Sequence, residues 1–253
     1  MTNRQLTYTN KYFLTAGQCN AQSRLPLQLL VERLIETATD HANVLGIGYD
    51  TLNPLGMAWV LSRVAVRMRR WPGVNTEFSL TTWIETSTRV YSNRCFVLTD
   101  VDGEVIGYAR TVWAAIDVAR RCAADLSFLQ PERYEVTGRE CQAEVMRRIT
   151  LPDVTDVRAE SLTFRFSDID FNRHVNSVRY IDHFFDALGL EYFDSHTVDS
   201  FAINYMHESR CDETVTMSVA RTPHGATFVL TAPDSNAVLV SAQLTHSVTP
   251  DIQ

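Results

Sequence analysis

Residues 26–45, PLQLLVERLIETATDHANVL, decide the fold of the first half of the chain. Apolar side chains recur in this segment at steps of three and four residues, which places them on one face of a helix. They are Leu27, Leu30, Val31, Leu34, Ala38, Ala42 and Leu45. Pro26 suits a first helical turn, and Gly46 and Gly48 supply the stop. The pattern therefore predicts one amphipathic helix over residues 26–45.

Downstream of this helix, the hydrophobic period changes to that of strands. Residues 78–84 show the two-residue alternation of a strand. Residues 90–99 and 105–115 are rich in β-forming side chains, and the Asp102-Gly103 pair between them is a strong hairpin signal. The first half is therefore predicted to be a helix followed by an antiparallel meander.

The second half repeats this plan. A second amphipathic helix, ended by Gly189, is predicted from Val175, Val178, Ile181, Phe185 and Leu188. Strands are predicted at 201–206, 214–220, 226–231 and 238–248. One long helix per half can be buried in the concave face of its own antiparallel sheet. We therefore predict an α+β double hotdog, with an N-terminal hotdog over 1–124, a polar linker over 125–160 and a C-terminal hotdog over 161–253.

Composition bounds the class of protein. The chain has 253 residues, of which 45% are hydrophobic and 21% charged, so a folded protein is expected. No stretch approaches the roughly 20 apolar residues of a membrane helix, and the first residues contain no apolar signal core. The five cysteines lie far apart without a C-x-x-C pair, as expected of reduced thiols. A cytoplasmic protein is therefore expected.

The charge pattern argues against nucleic acid as the main partner, because the net charge is -7 and the pI is near 5.5. Basic residues nevertheless form two arginine clusters. The first holds Arg63, Arg67, Arg69 and Arg70, and the second holds Arg147 and Arg148. These clusters are either solvated strand faces or a docking patch for an acidic or phosphorylated partner.

Acidic, amide and imidazole side chains are concentrated in residues 167–177, SDIDFNRHVNS, at the expected start of the second helix. Calcium is one interpretation, because Asp168, Asp170 and Asn172 occupy positions 1, 3 and 5 of an EF-hand-like loop. Positions 6 and 12 of such a loop require Gly and Glu, and this chain has Arg173 and Arg179 there. Calcium is therefore rejected. Helix capping is a second interpretation, but it explains one polar residue and not several at two-residue spacing.

Catalysis is the third interpretation. From an extended segment, the side chains of Asp170, Asn172 and His174 would converge on one spot. The following helix would aim its free N–H groups at that spot, where an oxyanion could form. A thioester hydrolase needs a base, oxyanion donors and a dry apolar slot. His174 can be the base, Asn172 can position it or the water, and Asp170 can orient either of them.

These residues carry a family resemblance. Residues 170–176 together with Tyr180 resemble the D-x-N-x-H-V-N-x-x-x-Y signature of acyl-acyl carrier protein thioesterases, which include plant chain-terminating enzymes and bacterial relatives. Residues 41–46, 56–63 and 113–121 also look like segments of that family. The resemblance implies a double hotdog that hydrolyses acyl carrier protein thioesters to free fatty acids and so terminates fatty acid synthesis. The implied partner is acyl carrier protein with its acyl chain on a 4′-phosphopantetheine arm, and no cofactor or metal is implied.

A second family element, Tyr-x-x-Glu-Cys-x-x-Asp, resembles residues 205–212. Glu208 matches it, whereas Ser209 stands where many plant members have a cysteine. Cys211 lies two residues further along and does not match. The resemblance therefore favours attack by water, with Glu208 sharing the base role with His174, over a cysteine nucleophile.

The two halves also resemble each other weakly, since residues 178–184 are similar to residues 28–34. Aligning the halves by their helices places three other residues opposite the motif: Asn20, Gln22 and Arg24. The first half then lacks both the acid and the imidazole, so one active site per chain is expected. In the family, the first half sets chain length. The side chains suited to lining an acyl pocket there, or equally to an ordinary core, are Met57, Trp59, Leu61 and Met68.

Two other functions remain open. An acyl-CoA thioesterase could use the same site, because the fold does not separate the two thiols. A non-catalytic sensor of acyl thioesters is the alternative from another class, but such a sensor is expected to carry an effector module, for which no segment has room. Whether two chains form a homodimer also remains open.

Overall fold

The computed structural model describes residues 6–145, 147–154 and 156–249. The chain divides into two compact units, Met1–Val145 and Met146–Gln253. Their boundary falls inside the range 125–160 that we predicted to be a linker. Part of that range is packed structure, because Leu126 and Tyr134 are buried in hydrophobic clusters of the first unit.

The first unit consists of one long helix, a short helix and an antiparallel sheet. Its elements are β1 (Thr7–Leu14), α1 (Leu27–Leu45), α2 (Tyr49–Leu52), β2 (Met57–Met68), β3 (Thr76–Ser87), β4 (Tyr91–Asp100), β5 (Val105–Asp117) and β6 (Cys122–Ala123). The strand order is β1-β3-β4-β5-β2, and β6 pairs with β5.

The second unit has the same plan. Its elements are β7 (Val157–Thr163), α3 (Arg179–Leu188), α4 (Leu190–Ser195), β8 (His196–Tyr205), β9 (Thr214–Thr222), β10 (Gly225–Thr231) and β11 (Val238–Val248). The strand order β7-β9-β10-β11-β8 repeats that of the first unit, strand for strand. The predicted α+β plan of two helix-plus-antiparallel-sheet repeats is therefore confirmed. No helix in the described part of the chain combines the length and apolar character needed to cross a membrane.

Helix α1 buries the face that its sequence predicts. Every apolar position named above is buried, and so are Thr37 and His41. The polar pair is accommodated by hydrogen bonds: the Thr37 hydroxyl donates to the Arg33 carbonyl at 2.7 Å, and Arg94 Nη1 lies 2.7 Å from His41 Nδ1. Burial lowers the pKa of Arg94 to about 10. The centre of this helix–sheet interface is therefore polar but hydrogen-bonded.

Helix α3 begins at Arg179, so the predicted start at Val175 is wrong. Val175 and Val178 are buried but lie in the preceding loop. The spacing of apolar residues indicates which side chains are buried, but it does not determine the backbone conformation. Buried residues in a loop can therefore have the same spacing as those of a helical turn. On the helix itself, Phe184 stacks on Phe228 of β10, with ring centroids 4.8 Å apart. This contact fixes α3 to its sheet.

Strands β1, β2, β6 and β7 are absent from the sequence-based prediction. Strand β7 lies at the edge of its sheet, and its residues 157–161 are all exposed, so no alternation marks it. Strand β2 could not be recognised in the sequence for the opposite reason. Val64, Ala65 and Val66 are all buried, so both of its faces are covered and the alternation is lost.

Candidate active site

Residues 170–174 form a tight turn in the loop between β7 and α3. The Asp170 N–H donates to the His174 carbonyl at 2.8 Å, and the Arg173 N–H donates to the Asp170 carbonyl at 3.0 Å. Asp170 Oδ1 also accepts the N–H groups of Asn172 at 2.8 Å and His174 at 3.2 Å. The prediction of an extended segment is therefore wrong. The Asp170 carboxylate offers nearby backbone N–H groups a local partner, which favours a turn.

The helix after this turn does not start at the motif. It begins at Arg179, five residues beyond His174, and Asn176 Oδ1 accepts the Val178 N–H at 3.2 Å ahead of it. The expected arrangement, in which the first helical turn follows directly on His174, is corrected accordingly. Oxyanion donors must therefore come from side chains or from the turn.

The first unit contains the same turn without the chemistry. The Asn20 N–H donates to the Arg24 carbonyl at 2.9 Å, and the Ser23 N–H donates to the Asn20 carbonyl at 3.0 Å. Asn20 Oδ1 accepts the Arg24 N–H at 3.0 Å, as Asp170 accepts that of His174. The side-chain amide of Asn20 therefore stabilises the first turn in the way that the Asp170 carboxylate stabilises the second. The contacts of Asp170 shape the turn that presents Asn172 and His174.

The His174 imidazole and the Glu208 carboxylate lie in contact across two loops. His174 Nε2 lies 3.2 Å from Glu208 Oε2, and the two side chains are 23% and 37% exposed. The loop after β8 is held against the motif loop because the Val175 N–H donates to the Ser209 carbonyl at 2.8 Å. A carboxylate beside an imidazole orients the ring and can stabilise the imidazolium that forms when the ring takes a proton from water, which suits a general base. The structure thus brings together the predicted His174 and Glu208.

Two tyrosines, the buried Tyr180 and the half-buried Tyr205, support this arrangement. The Tyr205 hydroxyl donates to the Ser177 carbonyl at 2.9 Å, and burial raises its pKa far above the ordinary value. Burial also raises the pKa of Tyr180 to about 12, against the lowering effect of its hydrogen bonds to Ser209. Both phenols therefore stay neutral, and the signature tyrosine Tyr180 has a packing role beneath the site.

Sequence reasoning missed a second imidazole–carboxylate pair. His183 Nε2 on α3 lies 3.0 Å from Asp168 Oδ1. The other oxygen of Asp168 accepts the Arg165 N–H at 2.7 Å, and its carbonyl accepts the Asn176 N–H at 2.8 Å. Asp168 thus ties α3 to both ends of the motif loop. The available signal was the three-residue spacing from Tyr180 to His183, which puts both on one helical face.

Asp168→Ala is expected to lower the free energy of unfolding by about 2–3 kcal/mol, because it leaves a half-buried imidazole and a backbone N–H without their acceptor. Asp182→Ala is the matched control. It removes the solvent-accessible Arg179–Asp182 contact of 2.8 Å on the same helix and should cost about 0.5 kcal/mol or less. Urea denaturation followed by circular dichroism measures both variants. Equal losses in the two would contradict the anchoring role of Asp168.

An open pocket with a volume of about 890 Å³ lies over the turn. Its lining holds three of the four predicted catalytic residues, Asp170, Asn172 and His174. The other lining residues are Phe166, Ile169, Phe171, Arg173, Arg210 and Cys211. Pockets of this size accommodate small organic ligands.

The sulfur and hydroxyl groups near the site are poor nucleophiles. Ser209, at the position of the family's cysteine, is fully buried. Cys211 lines the pocket, but local desolvation and the neighbouring Asp212 carboxylate raise the pKa of its thiol. At neutral pH this thiol is therefore mostly protonated and weakly nucleophilic.

The predicted acyl-pocket residues share one face of β2 in the first unit. Trp59 pairs with Ala115 and Met68 with Gly107, and the register shifts between Leu61 and Arg63. Without this bulge, odd-numbered and even-numbered residues would lie on opposite faces. Because of it, four apolar side chains line up: Met57, Trp59, Leu61 and Met68. Leu61 and Met68 are buried, and Met57 and Trp59 are half-buried.

Comparisons with known proteins match both units. Residues 5–127 match the model of the acyl-ACP thioesterase N-terminal domain, and residues 152–245 match that of the C-terminal domain. Oleoyl-acyl carrier protein thioesterase 2 of Arabidopsis thaliana, a chloroplastic protein, is 23% identical over 258 residues, which are 95% of this chain and 70% of the relative. The matched region is 70% of the length of that relative and 52% of the length of the palmitoyl-acyl carrier protein thioesterase of Gossypium hirsutum, which is 23% identical.

Solved structures agree. An acyl-ACP thioesterase from Bacteroides thetaiotaomicron superposes with a TM-score of 0.84 at 28% identity, covering 98% of this chain and 100% of that one. The 12:0-ACP thioesterase from Umbellularia californica superposes with a TM-score of 0.83 at 18% identity, with the same coverage of each chain. The second likeness supports the double-hotdog fold alone.

Proposed function

Because this chain belongs to the acyl-ACP thioesterase family, we propose that it hydrolyses fatty acyl thioesters of acyl carrier protein. The products are free fatty acid and carrier protein, and their release ends chain growth. The observation that carries the proposal is the contact of 3.2 Å between His174 and Glu208, with His174 and Asn172 lining one pocket.

The geometry supports attack by water. His174, held by Glu208, takes a proton from a water molecule, and the resulting hydroxide bonds to the thioester carbonyl carbon. The carbonyl electrons move onto oxygen, and the amide of Asn172 can donate to that oxyanion. Collapse of the intermediate breaks the carbon–sulfur bond. The departing thiolate takes the proton from His174, so the base is regenerated.

The test uses the purified chain with acyl carrier protein and CoA carrying the same acyl group. We expect a higher kcat/KM for the carrier protein substrate, measured as free thiol released. Comparable or faster turnover of acyl-CoA would instead assign the site to CoA thioesters. Absence of thiol release from both substrates would contradict the proposed function.

Asp170→Asn is expected to retain kcat within about threefold, because an amide oxygen forms the same turn around Asn20. Asp170→Ala removes both acceptor contacts, displaces His174 and should lower kcat by about 100-fold. Steady-state kinetics of the two variants make the comparison. A loss in Asp170→Asn as large as that in Asp170→Ala would show that the charge of Asp170 acts in the reaction.

Cys211→Ser is expected to keep at least about half of the wild-type kcat, because no covalent acyl-cysteine is required. The raised thiol pKa of Cys211 supports this expectation. Mass spectrometry of the enzyme quenched during turnover is the companion measurement, and no acyl adduct on Cys211 should be found. An adduct, or near-complete loss of activity in Cys211→Ser, would establish the cysteine mechanism.

Met57, Trp59, Leu61 and Met68 are proposed to line the acyl pocket, and their alignment on one face of β2 supports this. The fatty-acid profile released by the enzyme reports the length of chain that is accepted.

A cytoplasmic location is also proposed. It is supported by the five free cysteines, since thiols stay reduced in that compartment.

A further inference from the structure

Two phenylalanines stand almost fully exposed at the mouth of the catalytic pocket. Phe166 is 90% exposed and Phe171 is 87% exposed, the two highest values among the large hydrophobic residues that the structure describes. Both line the pocket, together with Arg173 and Arg210. We call these four residues the rim. Aromatic and arginine side chains are enriched at the centres of protein–protein interfaces.

The fold does not require these side chains, and the first unit provides the internal control. The turns at 16–24 and 166–174 share their hydrogen bonds, with Asn20 opposite Asp170. In that alignment three rim positions, 166, 171 and 173, are occupied by small residues: Ala16, Ala21 and Ser23.

The fourth rim position, that of Arg210, also has a small residue opposite it in the first unit. The Leu25 N–H donates to the Pro72 carbonyl at 2.8 Å, as the Val175 N–H does to that of Ser209. The residue that follows Pro72, opposite Arg210, is Gly73. Each large rim side chain thus appears only around the turn that carries His174.

The rim also differs in charge from the rest of the molecule. Among the carboxylates and guanidiniums of the pocket lining, Arg173 and Arg210 outnumber Asp170, whose Oδ1 is engaged with two backbone N–H groups. The nearby Arg165 is paired with Asp212 at 3.4 Å and adds little. The guanidiniums of Arg173 and Arg210, on a chain of net charge -7, can pair with carboxylates of an acidic partner, while the two phenylalanines contact its exposed apolar side chains.

We propose that the rim is the docking surface for the protein part of the substrate, an acidic carrier protein whose thioester arm enters the pocket between Phe166 and Phe171. The inference rests on the proposed function. A thioester tethered to a carrier can reach His174 only if the carrier rests against the mouth of the pocket. Apolar contacts of the phenylalanines supply affinity, and the arginines orient the carrier.

The test compares substrates with and without the carrier. Phe166→Ser/Phe171→Ser and Arg173→Glu/Arg210→Glu are assayed on an acyl-acyl carrier protein and on the acyl-pantetheine thioester with the same acyl chain. We expect kcat/KM for the carrier substrate to fall at least about 30-fold more than that for acyl-pantetheine, mainly through KM. Phe128→Ser and Arg158→Glu change exposed residues outside the rim and outside both arginine clusters, and they should leave kcat/KM for both substrates unchanged.

A binding measurement separates docking from turnover. Calorimetric titration with the carrier protein lacking its arm should show binding to the unaltered chain and to the two control variants, and much weaker binding to the rim variants. Equal losses on both thioesters would mean that the rim shapes the pocket and does not dock the carrier. Conversion of a dimer to a monomer in the rim variants, with carrier turnover intact, would assign the rim to a second copy of this chain. If the unaltered chain cleaves neither thioester, the proposed function fails, whereas cleavage with unchanged substrate ratios in the rim variants overturns only the docking surface.

Discussion

His174→Ala is expected to lower kcat for thioester hydrolysis by about 1,000-fold, because it removes the group that takes the proton from water. The contact with Glu208 at 3.2 Å places a carboxylate where it can stabilise the imidazolium formed in that step. KM should change little, since the imidazole acts mainly in the transition state. Free thiol release from acyl carrier protein, measured under single-turnover conditions, checks the chemical step directly.

The partner residue sharpens this test. Glu208→Gln keeps a hydrogen-bonding side chain but removes its charge, so kcat should fall by about 10- to 100-fold. The double variant should be no slower than His174→Ala alone, because the two residues act as one unit. Retention of more than a tenth of wild-type kcat in His174→Ala, or thiol release that survives His174→Ala and Asp170→Ala together, would contradict the mechanism.

Phe184→Ala is expected to lower the free energy of unfolding by about 3–5 kcal/mol, which is the range for truncating a buried aromatic side chain. Phe184 is 0% exposed, and its ring stacks on Phe228 with centroids 4.8 Å apart. The truncation leaves a cavity between α3 and its sheet. Because α3 carries His183 and anchors the motif loop, activity should be lost at a lower denaturant concentration as well.

Denaturation is best followed by far-ultraviolet circular dichroism, since the four tryptophans, Trp59, Trp71, Trp83 and Trp113, all lie in the first unit. Phe166→Ala is the matched control, because the same side chain is truncated where it is almost fully exposed. Its unfolding free energy should stay within about 0.5 kcal/mol of the wild-type value. A loss below about 1 kcal/mol in Phe184→Ala would show that α3 is held mainly by other contacts.

Elements that bury one face could be predicted from the sequence. In α1 and β3 only one face is buried, so the apolar residues recur with the period of a helix or of a strand. The hairpin between β4 and β5 was predicted by its Asp102-Gly103 pair, and Gly103 adopts a left-handed φ of 83°. Strands β2 and β7 could not be predicted in this way, because one is covered on both faces and the other is largely exposed.

The candidate site divides along the same line. The sequence by itself determined which residue types are present. The family motif predicted His174, and the second family element predicted Glu208 as its partner. Only the tertiary structure decided that Asp170 shapes a turn, that Asp168 pairs with His183 on α3, and that four large rim side chains surround one turn and not its repeat. The physical reason is range: periodicity and local motifs report on neighbours along the chain, whereas each of these contacts depends on the backbone path or on segments brought together by folding.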